Sequence, residues 1–121
     1  MGGVFVDSQD KLIGGLLADL PLVSHAGAAL SLIPADAARD AIKARELDEI
    51  MRDNFAELMN MCSGLFNLAR THRVRLSATS FAPAALASEL AALAAKPTKR
   101  LDLEVDVEGY GKGRMILLLA P

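Results

Sequence analysis

The chain has 121 residues, the size of one domain, and 52% of them are hydrophobic, enough to bury a core and too many for a disordered chain. Net charge is −2 with no long run of one sign, which argues against nucleic acid or anionic lipid as a partner. With 4 Phe, 1 Tyr and no Trp, the core must come from Leu, Ala, Val, Ile and Met, and stacking platforms for single-stranded nucleic acid are scarce. We read residues 1–121 as a single domain. Cys62 is the one cysteine, so no internal disulfide forms and a reduced cytosol suits the chain. The opening "MGGVFVDSQD" has neither the basic start nor the apolar stretch of a signal peptide, and Val6 breaks the myristoylation pattern that Gly2 begins. No apolar run approaches the ~20 residues that span a bilayer. A cytoplasmic placement follows as an expectation.

In chain order, "VFV" and "KLIGGLLADL" flank the turn-prone "DSQD" and read as two antiparallel strands. The second is almost continuously apolar, which suits the middle of a sheet. Pro21 opens a helix over "PLVSHAGAALSLI", because a first-turn proline gives up only an N–H that has no helical partner. Pro34 breaks it, and "ADAARDAIKARE" follows as a more polar helical stretch. The longest helical pattern runs from Leu47 to about Arg70. Leu47, Met51, Leu58, Cys62, Leu65 and Ala69 recur near helical spacing, with a skip at Asn54–Phe55. "HRVRLSATSF" reads as a strand, and "PAALASELAALAA" as a helix starting at Pro83 and ended by Pro97. In "RLDLEVDVE", Leu101, Leu103, Val105 and Val107 alternate with Asp102, Glu104, Asp106 and Glu108, giving a strand with one dry and one wet face. "GYGKG" reads as a turn and "RMILLLA" as the returning strand. The order β-β-α-α-β-α-β-β predicts an α+β fold, long helices packed on an antiparallel sheet.

Several signals carry no chemistry. "GYGKG" lacks the spacing and the Lys-Ser/Thr of a phosphate-binding loop and sits between strands. His25 and His72 belong to no cluster with metal-ligand spacing, so no metal is expected and each is given a capping or surface role. Cys62 falls on an apolar helix face, as an inert thiol does. The acids of the Asp102 strand are read as a solvated face that discourages edge-to-edge aggregation.

The long helix is different. Asp53, Glu57, Asn60, Gly64 and Asn67 are spaced four, three, four and three, which places them on one side of it. Such a stripe is ordinarily just solvated. This one lacks the Lys and Arg that usually share a wet face. It also includes Gly64, which costs about 1 kcal/mol relative to Ala inside a helix and makes sense where another surface approaches closely. A carboxylate one turn from a carboxamide is a poor general acid/base pair, because the amide does not titrate. The amide can, however, hold a water in line with a phosphoryl group, and the carboxylate can reach a partner's cation. With no phosphate cradle, metal ligands or nucleophile of its own, such a half-site would work by inserting into a partner's active site.

These residues resemble the motif of the CheC/CheX/FliY family of chemotaxis phosphatases, which dephosphorylate the response regulator CheY. That motif is an acid or Ser, three residues, Glu, two residues, Asn, about twenty-two residues, then Pro. Asp53, Glu57 and Asn60 match its helical part, Pro83 follows Asn60 with 22 residues between them, and "AELMNMCSGLFN" resembles the family's "GEL-N-hydrophobic-small-small-G" run. The resemblance spans Val4 to Leu119 and is specific around Asp53–Gly64. It implies a CheC/CheX-like fold with catalytic Glu57 and Asn60: Glu57 would pair with the lysine of a phosphorylated CheY-like receiver, and Asn60 would orient the hydrolytic water. Asp53 and Pro83 would support the site. Mg²⁺ would belong to the receiver, leaving this chain no cofactor of its own. Because the first helix carries no Glu-x-x-Asn, the single-site CheX branch is the nearer one, and its members pair through their sheets as homodimers. The chain also departs from the family in beginning at the strand, without the leading helical segment, as a shortened or divergent member would, and in placing Pro83 at the start of an Ala-rich helix. Two other functions fit the same stripe: a non-catalytic binder of a receiver or signalling protein, and a dimeric scaffold whose stripe is only solvated.

Overall fold

A computed structural model describes residues 1–67, 73–82, 84–97 and 99–120. The elements are β1 (Gly2–Val6), β2 (Leu12–Ala18), α1 (Leu20–Leu30), α2 (Ala35–Ala44), α3 (Glu49–Met61), α4 (Ser63–Phe66), β3 (Arg75–Ser80), α5 (Ser88–Ala95), β4 (Lys99–Val107) and β5 (Gly111–Leu119). The five strands form one sheet in the order β3-β1-β2-β5-β4, with every neighbouring pair antiparallel. The fold is α+β.

Local chemistry sets the turns. Asp7 Oδ1 accepts hydrogen bonds from the N–H groups of Gln9 (2.8 Å) and Lys11 (3.0 Å), closing the β1–β2 hairpin. Asp10 there has φ 59°, a left-handed conformation that Asp tolerates. β2 is the middle strand, and its apolar run is buried from both sides. On one face Phe5, Leu16 and Ala18 pack with Val23 of α1, Phe55 and Met59 of α3 and Phe66 of α4. The Phe5 and Phe66 rings stack with centroids 4.7 Å apart. On the other face Val4, Val6 and Leu118 pack against Leu90 and Leu93 of α5. α2 lies outside α1, joined through a small cluster of Ala28, Ala38 and Met51. No helix of the described residues is long and apolar enough to cross a membrane.

Some expectations change. The helix expected from Leu47 to Arg70 is two: α3 starts after Asp48, whose carboxylate caps the Met51 N–H at 2.7 Å, and α4 follows a break at Cys62. The longest helix among the described residues is therefore 13 residues. Residues 68–72, among them Arg70 and His72, lie outside the described residues, as does Pro83. α5 begins at Ser88 rather than at Pro83, because the N–H of Ala87 is taken by the Oγ of buried Ser80 at 3.0 Å and Ala87 stays extended. In "GYGKG" only the start is turn, and Gly111–Gly113 already pair with β4. Gly113 must be glycine, since a Cβ there would lie 2.4 Å from the Leu22 backbone of α1. β4 is an edge strand whose Leu103, Val105 and Val107 are half-buried while Asp102, Glu104 and Asp106 are exposed.

Candidate functional site

α3 is placed by what it buries. Met51, Phe55 and Met59 face the core, so the opposite crest must carry Asp53, Glu57 and Asn60. All three side chains are exposed, and none makes a hydrogen bond or ion pair with another described residue. The helix is held close to α1 by a glycine: a Cβ on Gly27 would lie 2.5 Å from the Met51 carbonyl oxygen. Across that contact Asn54 Nδ2 donates to the Gly27 carbonyl (2.8 Å) and to Ser31 Oγ (2.7 Å). The crest is thus mounted on a braced helix pair.

The five-residue stripe does not survive whole. Gly64 sits in α4, past the break, and is exposed. A Cβ there would meet nothing within 4 Å, so packing within the chain does not demand glycine. Asn67 is half-buried and turned to another task, accepting from the Val74 N–H at 2.7 Å and donating to the Ser63 carbonyl at 3.1 Å. It bridges the loop between α4 and β3. Asp53, Glu57 and Asn60 stay together, and Pro83 lies outside the described residues.

The crest offers two carboxylates and an amide to solvent, and none of the three lines the hollows described below. Among the described residues no group of His, Cys, Asp and Glu could hold a metal ion. Hollows lie elsewhere, for example a groove of about 380 Å³ bounded by Phe66, Leu101 and Leu119.

One expected role changes. His25 is neither a cap nor a surface residue. It is buried against Gly111, where a Cβ would come within 2.6 Å of its Nε2, and its Nδ1 has no hydrogen-bond partner among the described residues. Burial pushes its pKa down, Arg39 of α2 pushes the same way, and Asp19 opposes them. Cys62 is half-buried, and burial raises its thiol pKa, which disfavours the nucleophilic thiolate. Asn54 was not singled out as functional from the sequence. Its signal was the skip in apolar spacing at Asn54–Phe55, where an amide stands beside a core aromatic.

Compared with protein-family models, with curated proteins and with solved structures, the chain matches none.

Proposed function

We propose that the chain is a cytoplasmic phosphatase that accelerates hydrolysis of the aspartyl phosphate on a CheY-like receiver domain. The observation that carries the reading is the crest: Glu57 and Asn60, three residues apart on the outer side of α3, both exposed and both unpartnered among the described residues. The resemblance of Asp53, Glu57 and Asn60 to the CheC/CheX/FliY motif adds the identity of the partner.

In this reading the receiver supplies the phosphoryl group, its Mg²⁺ and its lysine. Glu57 engages that lysine and fixes the docking register. Asn60 holds a water through its amide, its Oδ1 accepting a hydrogen bond from one water O–H so that the oxygen lone pair is directed at phosphorus. The water oxygen forms the new P–O bond as the bond to the aspartyl oxygen breaks. The electron pair leaves with the carboxylate, and the water proton passes to the phosphate product or to solvent. The chain contributes position rather than covalent chemistry, which suits phosphoryl transfer. A homodimer through sheet edges belongs to the same resemblance. β3 and β4 are the terminal strands available for it.

The test is the decay of a phosphorylated receiver with wild type, Glu57→Ala and Asn60→Ala. Wild type speeds the decay. Asn60→Ala lowers kcat about 10²-fold, the scale for one positioned hydrogen-bonding group. Glu57→Ala raises KM about tenfold, or about 1.4 kcal/mol. A wild type without effect sinks the enzyme reading, and binding without hydrolysis makes the chain a non-catalytic binder.

A further inference from the structure

α1 ends in a Schellman motif. The Leu32 N–H donates to the Ala29 carbonyl (3.1 Å) and the Ile33 N–H to the Ala28 carbonyl (2.9 Å), with Ser31 as the cap. The residue after the cap in this motif takes a left-handed conformation, which glycine occupies without strain. Here it is Leu32, at φ 55°. Its side chain is 86% exposed. The apolar contact that normally completes the motif is made by its neighbour, since Ile33 packs on the cluster that holds Ala28. The fold therefore gains nothing from the Leu32 side chain, and its backbone conformation is one that leucine disfavours.

The turn that presents Leu32 is clamped from two directions. Tyr110 donates its hydroxyl proton to the Ile33 carbonyl at 2.6 Å, and Asn54 of α3 holds Ser31 at 2.7 Å. An exposed apolar side chain is thus mounted on a fixed base, the arrangement of a pre-organised anchor. Two further exposed apolar side chains lie on α3. One turn before Asn54 on the same helix side is Ile50, 56% exposed, and beyond Glu57 on that side is Met61, 69% exposed. This apolar row borders the acidic crest of Asp53 and Glu57, neither of which has a cationic partner among the described residues. A complementary surface has an apolar pocket beside Lys or Arg.

We propose that Leu32, supported by Ile50, is the anchor that seats this face in an apolar pocket of the phosphorylated receiver, with Asp53 and Glu57 meeting cations at the pocket's rim. The proposal rests on the receiver-phosphatase reading and adds the residues that set affinity. A few anchor residues carry most of the binding energy of such interfaces.

The test uses Leu32→Gly, the residue the backbone favours, together with Leu32→Met and Ile50→Ser. Thermal melts are run beside Kd and KM for a panel of receiver domains phosphorylated with acetyl phosphate. Leu32→Gly keeps or raises Tm, weakens binding about tenfold and raises KM by a similar factor while kcat holds. Leu32→Met stays within about threefold of wild type, and Ile50→Ser follows Leu32→Gly. Two outcomes overturn the proposal alone: Leu32→Gly binding as wild type does while Asn60→Ala remains slow, or Leu32→Gly lowering Tm, which would assign the side chain to the fold. A wild type that binds no receiver in the panel overturns both this proposal and the reading beneath it.

Discussion

Two regions of this molecule carry regularly spaced acids, and they treat them differently. On β4, Asp102 receives two hydrogen bonds from Arg100, and Glu104 lies 3.6 Å from Lys112 across the strand pair. The guanidinium beside Asp102 holds its carboxyl below the usual range. On the α3 crest, Asp53 and Glu57 have no such neighbours among the described residues. Asp102 and Glu104 are thus answered from within the chain. The crest acids are left open, which is what the proposed docking on a partner's cations requires. Equal spacing of acids is therefore not equal meaning, and what separates the two cases is where the cations sit.

The sharpest way to break this contrast is to neutralise each region in turn. In the receiver dephosphorylation assay, Glu57→Gln with Asn60→Ala should abolish the acceleration, on the order of 10²-fold or more. Asp102→Asn with Glu104→Gln should leave it within about twofold, since those charges are already satisfied and screened. Equal losses would mean that net charge, not the crest, attracts the partner.

The next effect concerns the mount rather than the crest. Asn54→Ala removes both bonds to α1 and leaves the Gly27 carbonyl and Ser31 without them. It should cost about 1–2 kcal/mol in urea unfolding. An unchanged midpoint would show that the helix pair is held by packing alone.

His25, on α1 against Gly111 at the start of β5, gives stability a pH dependence. Its folded pKa is depressed below 6.5, so the unfolded chain binds its proton more readily. Stability is unpenalised above that value and declines as pH falls through it toward the folded pKa. Subtracting the pH profile of His25→Asn from that of wild type should leave a slope of this sign, and a flat difference would refute it. The smallest effect belongs to Gly64→Ala, with open space around the added methyl: about 0.4–1 kcal/mol of added stability from the unfolded state. A fall in receiver affinity alongside that gain would place the partner's surface against α4.

The sheet was legible because its signals are local. Alternation over Leu101–Val107 and the apolar run of β2 need no knowledge of the partner strand, and Asp7 closes its own turn. The crest was legible for the same reason, since residues four and three apart share a helix side in any context. What stayed hidden depends on distant partners. The apolar spacing continues through Cys62, Leu65 and Phe66, so the break between α3 and α4 left no mark in it. The start of α5 was misplaced because the hydroxyl of Ser80 captures the N–H of Ala87. Burial of His25 needs the missing side chain of Gly111, and bracing by Asn54 needs Ser31, 23 residues away. Leu32 gave no sign at all, because left-handed positions are looked for at glycine and asparagine.

Asp19 has a consequence for how the chain is made. Its Oδ1 caps α1 through the Leu22 N–H at 2.9 Å and also accepts from the Arg114 N–H at 3.1 Å, a residue 95 positions later. β2, in the middle of the sheet, finds its second neighbour only in β5. On the ribosome, α1 emerges long before β5, the strand it rests on. Its apolar side must wait, exposed, until residues 111–119 have been translated. Assembly of this sheet therefore waits for β5, and the interval before it is when the nascent protein is most exposed to aggregation.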